Sequence, residues 1–202
     1  MRKSWKVCLG LATLLAALPL AAQQTAKEAE KEAGTPAEYE RLLKPADKHE
    51  ILGRLVGRWK GELKVLLYGT PSEGMMPEEI EAHWIMKENF IEMNTTQRIR
   101  DFEVHAKILV GYNGSIKKFY QLYLSDGEPR GSYSLGVHLR SKNALVFRGM
   151  EDDPVSGDSF ERRDVYTFVD KDKIQYQLFY TFVDGSEIKA IDGFLTRVKD
   201  TP

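Results

Sequence analysis

Leu55-Val56-Gly57-Arg58-Trp59-Lys60-Gly61 is the stretch on which the fold turns, because the hydrophobic period changes across it. Upstream, Ile51, Leu52, Leu55 and Val56 recur at helical spacing, which predicts a short helix over 47–56 with Asp47 as its cap. Gly57 ends that helix. From Trp59 onward the period becomes two and stays two, through segments near 59–68, 78–87, 89–99, 103–112, 117–125, 131–140, 143–150, 159–169, 173–183 and 187–198. Asn113-Gly114, Asp126-Gly127 and Asp184-Gly185 fall between such segments, where glycine and asparagine accept the positive φ of tight turns. No long helical pattern interrupts the series, so parallel strands joined by crossover helices are not expected. About ten consecutive antiparallel strands leave raw edges unless the sheet closes on itself. The expected fold is therefore all-β, a single antiparallel meander barrel with the short N-terminal helix closing one end.

The chain ahead of this domain has a different composition. Met1-Arg2-Lys3-Ser4-Trp5-Lys6 is basic, Val7 to Leu20 is apolar, and Leu20-Ala21-Ala22 fits a small-residue cleavage site, so residues 1–22 read as a signal peptide. The apolar run falls short of the roughly 20 residues that a spanning helix needs, so export with cleavage and no remaining membrane span is expected, with a retained N-terminal anchor as the alternative. Cys8, the sole cysteine, stands at the start of that run rather than at its end, which is not the position of a lipidated cysteine. Residues 23–45, rich in Ala, Glu and Lys, read as a flexible charged tether, and 46–199 as the barrel domain. The expected destination is periplasmic or secreted. The mature chain has no thiol, hence no disulfide, cysteine nucleophile or thiolate metal site. Without Arg2, Lys3 and Lys6 the 29 basic residues fall to 26 against 30 acidic ones, a net charge of −4 that argues against nucleic acid as a partner.

Alternation assigns side chains to faces. Ile80, Ala82, Trp84 and Met86 share one face, as do Val104, Ala106, Ile108, Val110 and Tyr112, and Ile174, Tyr176, Leu178, Tyr180 and Phe182. These apolar faces should point inward, lining a cavity or filling a core. Three later faces mix charge with apolar residues. Ala144, Val146, Arg148 and Met150 form one, Phe160, Arg162, Asp164, Tyr166 and Phe168 the second, and Ile188, Ala190, Asp192, Phe194 and Thr196 the third. Buried charge is costly unless paired. Arg148, Arg162, Asp164 and Asp192 can satisfy one another across strands. Alternatively an arginine, with Tyr166, Tyr176 or Tyr180, clamps the anionic head of a ligand. The candidate ligand-contacting residues are Trp84, Arg148, Arg162, Tyr166, Tyr176, Tyr180 and His138.

His138 is the one inward histidine, since Ser132, Ser134 and Gly136 on its face are small; His83 and His105 fall on charged faces and His49 on the helix. No close histidine pair suggests a metal, and no cofactor is called for; a haem at His138 has no supporting residue. Glu78-Glu79 and Asp152-Asp153 read as solvated loop charges and Ser115 as a turn residue. No nucleophile, base and oxyanion donor assemble, so nothing argues for an enzyme and no catalytic residue is assigned.

The run from His49 to Gly61, with Gly-x-Trp at Gly57–Trp59, the turn Gly111-Tyr112-Asn113 and the closing Thr196-Arg197, resembles a bacterial family of domains of unknown function over residues 46–199. That family is similar in turn to the calycins: lipocalins, fatty-acid-binding proteins and nitrobindin-like haem barrels. The resemblance implies a lipocalin-like barrel in which Arg197 stacks on Trp59 as a structural latch with Gly57. No strand matches the haem-ligating histidine of the nitrobindin-like barrels. The expected function is binding of a small apolar or amphipathic molecule. A non-catalytic interaction scaffold is the alternative, and an enzyme working in the cavity through His138 or Tyr176 stands behind both.

Overall fold

The computed structural model describes residues 48–66, 73–99, 101–127, 131–153 and 156–199. All belong to the second of the chain's two compact units, Pro45–Pro202. The signal peptide and tether expected over 1–22 and 23–45, and the capping Asp47, lie outside the described residues.

The helix α1 is short, His49–Gly53, and buries Leu52; Leu55 is buried in the turn that follows. Ten strands succeed it: β1 (Gly57–Leu66), β2 (Glu73–Ile85), β3 (Phe90–Ile99), β4 (Phe102–Asn113), β5 (Lys118–Ser125), β6 (Ser132–Leu139), β7 (Ala144–Asp152), β8 (Ser159–Phe168), β9 (Lys173–Thr181) and β10 (Glu187–Arg197). Each pairs antiparallel with its sequence neighbour, and β1 pairs with β10 to close the barrel. Closure leaves no unpaired sheet edge, which answers the edge problem that the alternation posed.

The turns follow side-chain chemistry. Asn113 accepts the Ser115 amide at 3.0 Å, Asp126 accepts the His105 amide at 2.8 Å, and Asp184 accepts the Ser186 amide at 2.9 Å. Two departures from simple alternation change which residues face inward. In β7 the inward positions are Leu145 and Phe147, both fully buried, so Arg148 and Met150 face solvent instead of the interior expected for them. The cause is local. A 3₁₀ turn at Arg140–Lys142 and left-handed Asn143 (φ 49°) deliver the chain to β7 with Ala144 and Leu145 both buried. In β10 the pairing slips by one between Lys189 and Ile191. Such a bulge flips everything beyond it. Ala190 and Leu195 are thus buried, whereas Phe194 is exposed and Asp192 bonds Lys189 and Gln175.

The end of the barrel carrying α1 is its floor, and an apolar core occupies it. Leu52, Leu55, Trp59, Ile91, Phe147 and Phe168 are all within 2% of complete burial. Gly57, Trp59 and Arg197 hold that floor. The Arg197 guanidinium lies 4.1 Å above the Trp59 ring and donates to the carbonyls of Val56, Arg54 and Lys171. Trp59 Nε1 donates to the Leu55 carbonyl at 2.8 Å. Gly57 sits at φ +127° with the guanidinium against it, so a side chain there is excluded both by backbone strain and by space.

Candidate functional site

Above this apolar floor the interior turns polar, and β8 is the reason. Its strict alternation buries Arg162, Asp164, Tyr166 and Phe168 on one face. Residues two apart on a strand stand side by side. Arg162 therefore forks onto Asp164, with Nε to Oδ2 at 2.8 Å and Nη2 to Oδ1 at 2.9 Å. Its third nitrogen, Nη1, donates to Glu151 Oε1 from β7 at 2.8 Å. Tyr176, the β9 partner of Tyr166, donates to Asp164 Oδ1 at 2.8 Å, and the two phenol rings stack with centroids 4.9 Å apart. Tyr166 donates in turn to Gln121 Oε1 at 3.4 Å. The Arg162 guanidinium lies 4.8 Å over the Tyr123 ring.

Of these groups Arg162, Tyr123, Tyr166 and Tyr176 line one side of a partly enclosed cavity of about 120 Å³. Tyr180, Leu178, Ile191 and Leu195 continue its wall, Ile80 and Ile108 face it, and Glu78 and Gln97 close it from β2 and β3. Glu78 is 4% exposed. Gln97 Nε2 donates to its Oε1 at 2.9 Å, whereas Oε2 has no hydrogen-bond partner.

Burial governs the protonation of the cluster. It pushes the Glu78 carboxyl up to about 7, against the lowering influence of the Gln97 hydrogen bond. It also holds the Tyr166 and Tyr176 phenols well above their usual range, and the Asp164 charge beside them adds to this. Burial works against the Arg162 charge too, but Asp164 and the other anionic neighbours outweigh it and keep the guanidinium protonated. The result is a protonated arginine paired with two carboxyl groups, neutral phenols and one carboxyl that titrates near neutrality.

Of the residues proposed from sequence, Arg162, Tyr166, Tyr176 and Tyr180 meet at this cavity. Trp84 and His138 do not. Trp84 packs at the floor with its ring centroid 6.2 Å from that of His49. His138 pairs with Leu145 in the β6–β7 ladder; burial first, then the Arg140 charge, lowers its pKa, and its Nε2 is buried without a partner. Arg148 is corrected to the outer surface, where it pairs with Glu161, so it is no part of an interior clamp. Asp192 likewise joins Lys189 rather than Arg162. Five polar or aromatic participants are not among the residues proposed from sequence: Glu78, Gln97, Gln121, Tyr123 and Glu151. Glu78 was legible. It continues the two-residue period of Ile80, Ala82 and Trp84 backwards, and Pro77 beside it lies on the exposed face of β2. Among the described residues, no group of three or more His, Cys, Asp or Glu side chains is placed to hold a metal.

Solved structures confirm the fold at low sequence identity. The chain is similar to Rv2717c from M. tuberculosis, with a TM-score of 0.57 and 12% identity over 77% of this chain and 100% of that one. It is also similar to the S-type phycobiliprotein lyase CPES from Guillardia theta, with a TM-score of 0.53 and 10% identity over 81% of this chain and 99% of that one. No curated protein matches. Residues 44–197 match the model of a family described as a protein of unknown function, DUF1579.

Proposed function

Since the chain belongs to the DUF1579 family over its whole barrel, we propose that it is an exported β-barrel that binds a small amphipathic molecule in the polar half of its interior. The observation that carries this reading is the cavity at Glu78. About 120 Å³ of space remains where the floor half is packed, and it is walled by hydrocarbon on one side and by phenol, amide and carboxyl groups on the other. Packed interiors rarely leave such space, and an apolar cavity of about 150 Å³ admits benzene. The ligand is therefore about the size of one small ring, not a long acyl chain. An unpartnered buried carboxyl oxygen costs free energy in the empty protein, and a ligand donor would recover it.

Arg162 does not serve as a free clamp for an anionic head, because all three of its nitrogens already face Asp164 or Glu151. Its role is to hold the wall. Export rests on the basic, apolar and small-residue pattern of residues 1–22. Native mass spectrometry of the protein recovered from its own host's extracytoplasmic fraction tests both halves. A chain beginning at Gln23 that sheds a small molecule on denaturation is the expected result. Full-length cytoplasmic protein with nothing bound would refute it.

A second reading, the barrel as an interaction scaffold, draws on the outer face of β5 and β6, where Leu124, Tyr133, Leu135 and Leu139 are each exposed by 38% or more. Loss of self-association or partner capture in Leu135→Asp, in a protein whose interior binds no small molecule, would support that reading over the first.

A further inference from the structure

We propose that the cavity at Glu78 selects small organic ammonium ions. The proposal rests on the small-molecule reading above and adds the chemical class of the ligand. Three features of the cavity converge on it. The first is charge. Arg162 is the cavity's cation, and it already faces two carboxylates at hydrogen-bond distance, Asp164 and Glu151. An anion entering here would meet an arginine whose charge is more than balanced, and would meet Glu78 as well. A cation meets the reverse.

The second feature is the one unsatisfied carboxyl. Glu78 is buried, lines the cavity and has Oε2 without a partner. It needs a donor, and an ammonium supplies charge as well as N–H or polarised C–H groups. The third is the aromatic wall. Tyr123, Tyr166, Tyr176 and Tyr180 surround the same space. The hydroxyls of Tyr166 and Tyr176 are committed to Gln121 and Asp164, so these two residues offer ring surface, and aromatic faces favour cations. The site is unsuited to an inorganic cation such as calcium, which takes 6–8 oxygen ligands, whereas Ile80, Ile108 and Leu178 make up much of this wall.

Selection by a carboxylate makes binding depend on pH. The groups around Glu78 are Gln97 on β3, Tyr123 on β5, Arg162 and Tyr166 on β8, and Tyr176 and Tyr180 on β9. Across neutrality Tyr166, Tyr176 and Arg162 hold their protonation, so Glu78 is the member of this set whose charge changes. Its pKa of about 7 leaves about a tenth of the protein ionised at pH 6 and about nine tenths at pH 8. Ammonium affinity is therefore expected to rise about tenfold over that interval.

Isothermal titration of the full chain decides the matter with three probes that share three methyl groups on a quaternary centre: tetramethylammonium, tert-butanol and pivalate. The expected result is tetramethylammonium binding that strengthens about tenfold from pH 6 to pH 8, releases a proton at pH 6, and weakens at least tenfold in Glu78→Gln, with pivalate excluded. Glu78→Gln removes a desolvated charge and keeps the shape of the side chain, so it is expected to fold. The wild-type pH series does not depend on it. Preference for pivalate, or tetramethylammonium binding indifferent to both pH and Glu78→Gln, overturns the ammonium assignment. If tert-butanol still binds in that case and Ile108→Phe blocks it, the small-molecule reading survives its failure. If no probe binds and protein from the native host carries nothing, the small-molecule reading fails and the ammonium assignment with it.

Discussion

Replacing Glu78 by glutamine keeps the shape of a fully buried side chain and removes its ability to ionise. In the folded protein, burial moves this carboxyl from an ordinary 4.5 up to about 7. In the unfolded chain it loses its proton near 4.5. Between those two values the unfolded state binds fewer protons than the folded state, so Glu78 lowers stability progressively as pH rises through this window. Below it both states are protonated and the cost is absent. Above it both are ionised and the cost is complete. At 1.36 kcal/mol for each pH unit, the interval from 4.5 to about 7 corresponds to roughly 3 kcal/mol. Protonated Glu78 and the glutamine that replaces it both carry a donor where Oε2 stands, so that difference largely cancels in the comparison. The Glu78→Gln protein is therefore expected to exceed wild type by roughly 3 kcal/mol at pH 8 and to match it closely near pH 4.5. Urea unfolding followed by tryptophan fluorescence at intervals between pH 4.5 and 8 measures this directly, with Trp59 and Trp84 reporting from the barrel floor. A stability gap that stays constant across that range would refute the claim that Glu78 is desolvated in the fold.

Three further outcomes follow from the same geometry. Arg162→Met leaves Asp164 and Glu151 without their cation, and is expected to destabilise the barrel by roughly 3–5 kcal/mol in urea unfolding. Arg148→Met, which loses a half-exposed surface pair with Glu161, should cost under about 1 kcal/mol and leave interior binding unchanged. At the floor, Gly57→Ala meets a positive φ and the Arg197 guanidinium together, so a loss of roughly 2 kcal/mol or more is expected, read as a lower urea midpoint, with probe affinity at the Glu78 cavity unaltered.

How much of this was legible in the chain depended on whether local alternation was unbroken. Strands β8 and β9 alternate without interruption, and both present the faces that their sequences predict, which is how Arg162, Tyr166, Tyr176 and Tyr180 came to be named. In β7 the run Ala144-Leu145-Val146-Phe147 is apolar at every position, so periodicity carries no face information, and the face was set by the turn that precedes it. The side on which Arg148 stands is therefore not readable from its neighbours. The β10 bulge is a backbone event with no composition mark, and it moved Asp192 and Phe194 outward. Glu78 was different in kind. Its parity with Ile80 places it inside, but an acidic pair beside a proline reads as surface. The latch at Gly57, Trp59 and Arg197 joins residues at opposite ends of the barrel sequence, and the family resemblance, not any local pattern, pointed to it.

The central claim is that the polar half of this barrel holds a small molecule against Glu78. A crystallographic map of protein taken from its native host, at a resolution that separates ordered water from a bound organic molecule, tests it most directly. The account predicts continuous density the size of one small ring between Glu78, Tyr176 and Ile108, with a donor on the free carboxyl oxygen. An interior closed by its own side chains, with Glu78 turned to a protein partner and no space left beside it, would contradict it.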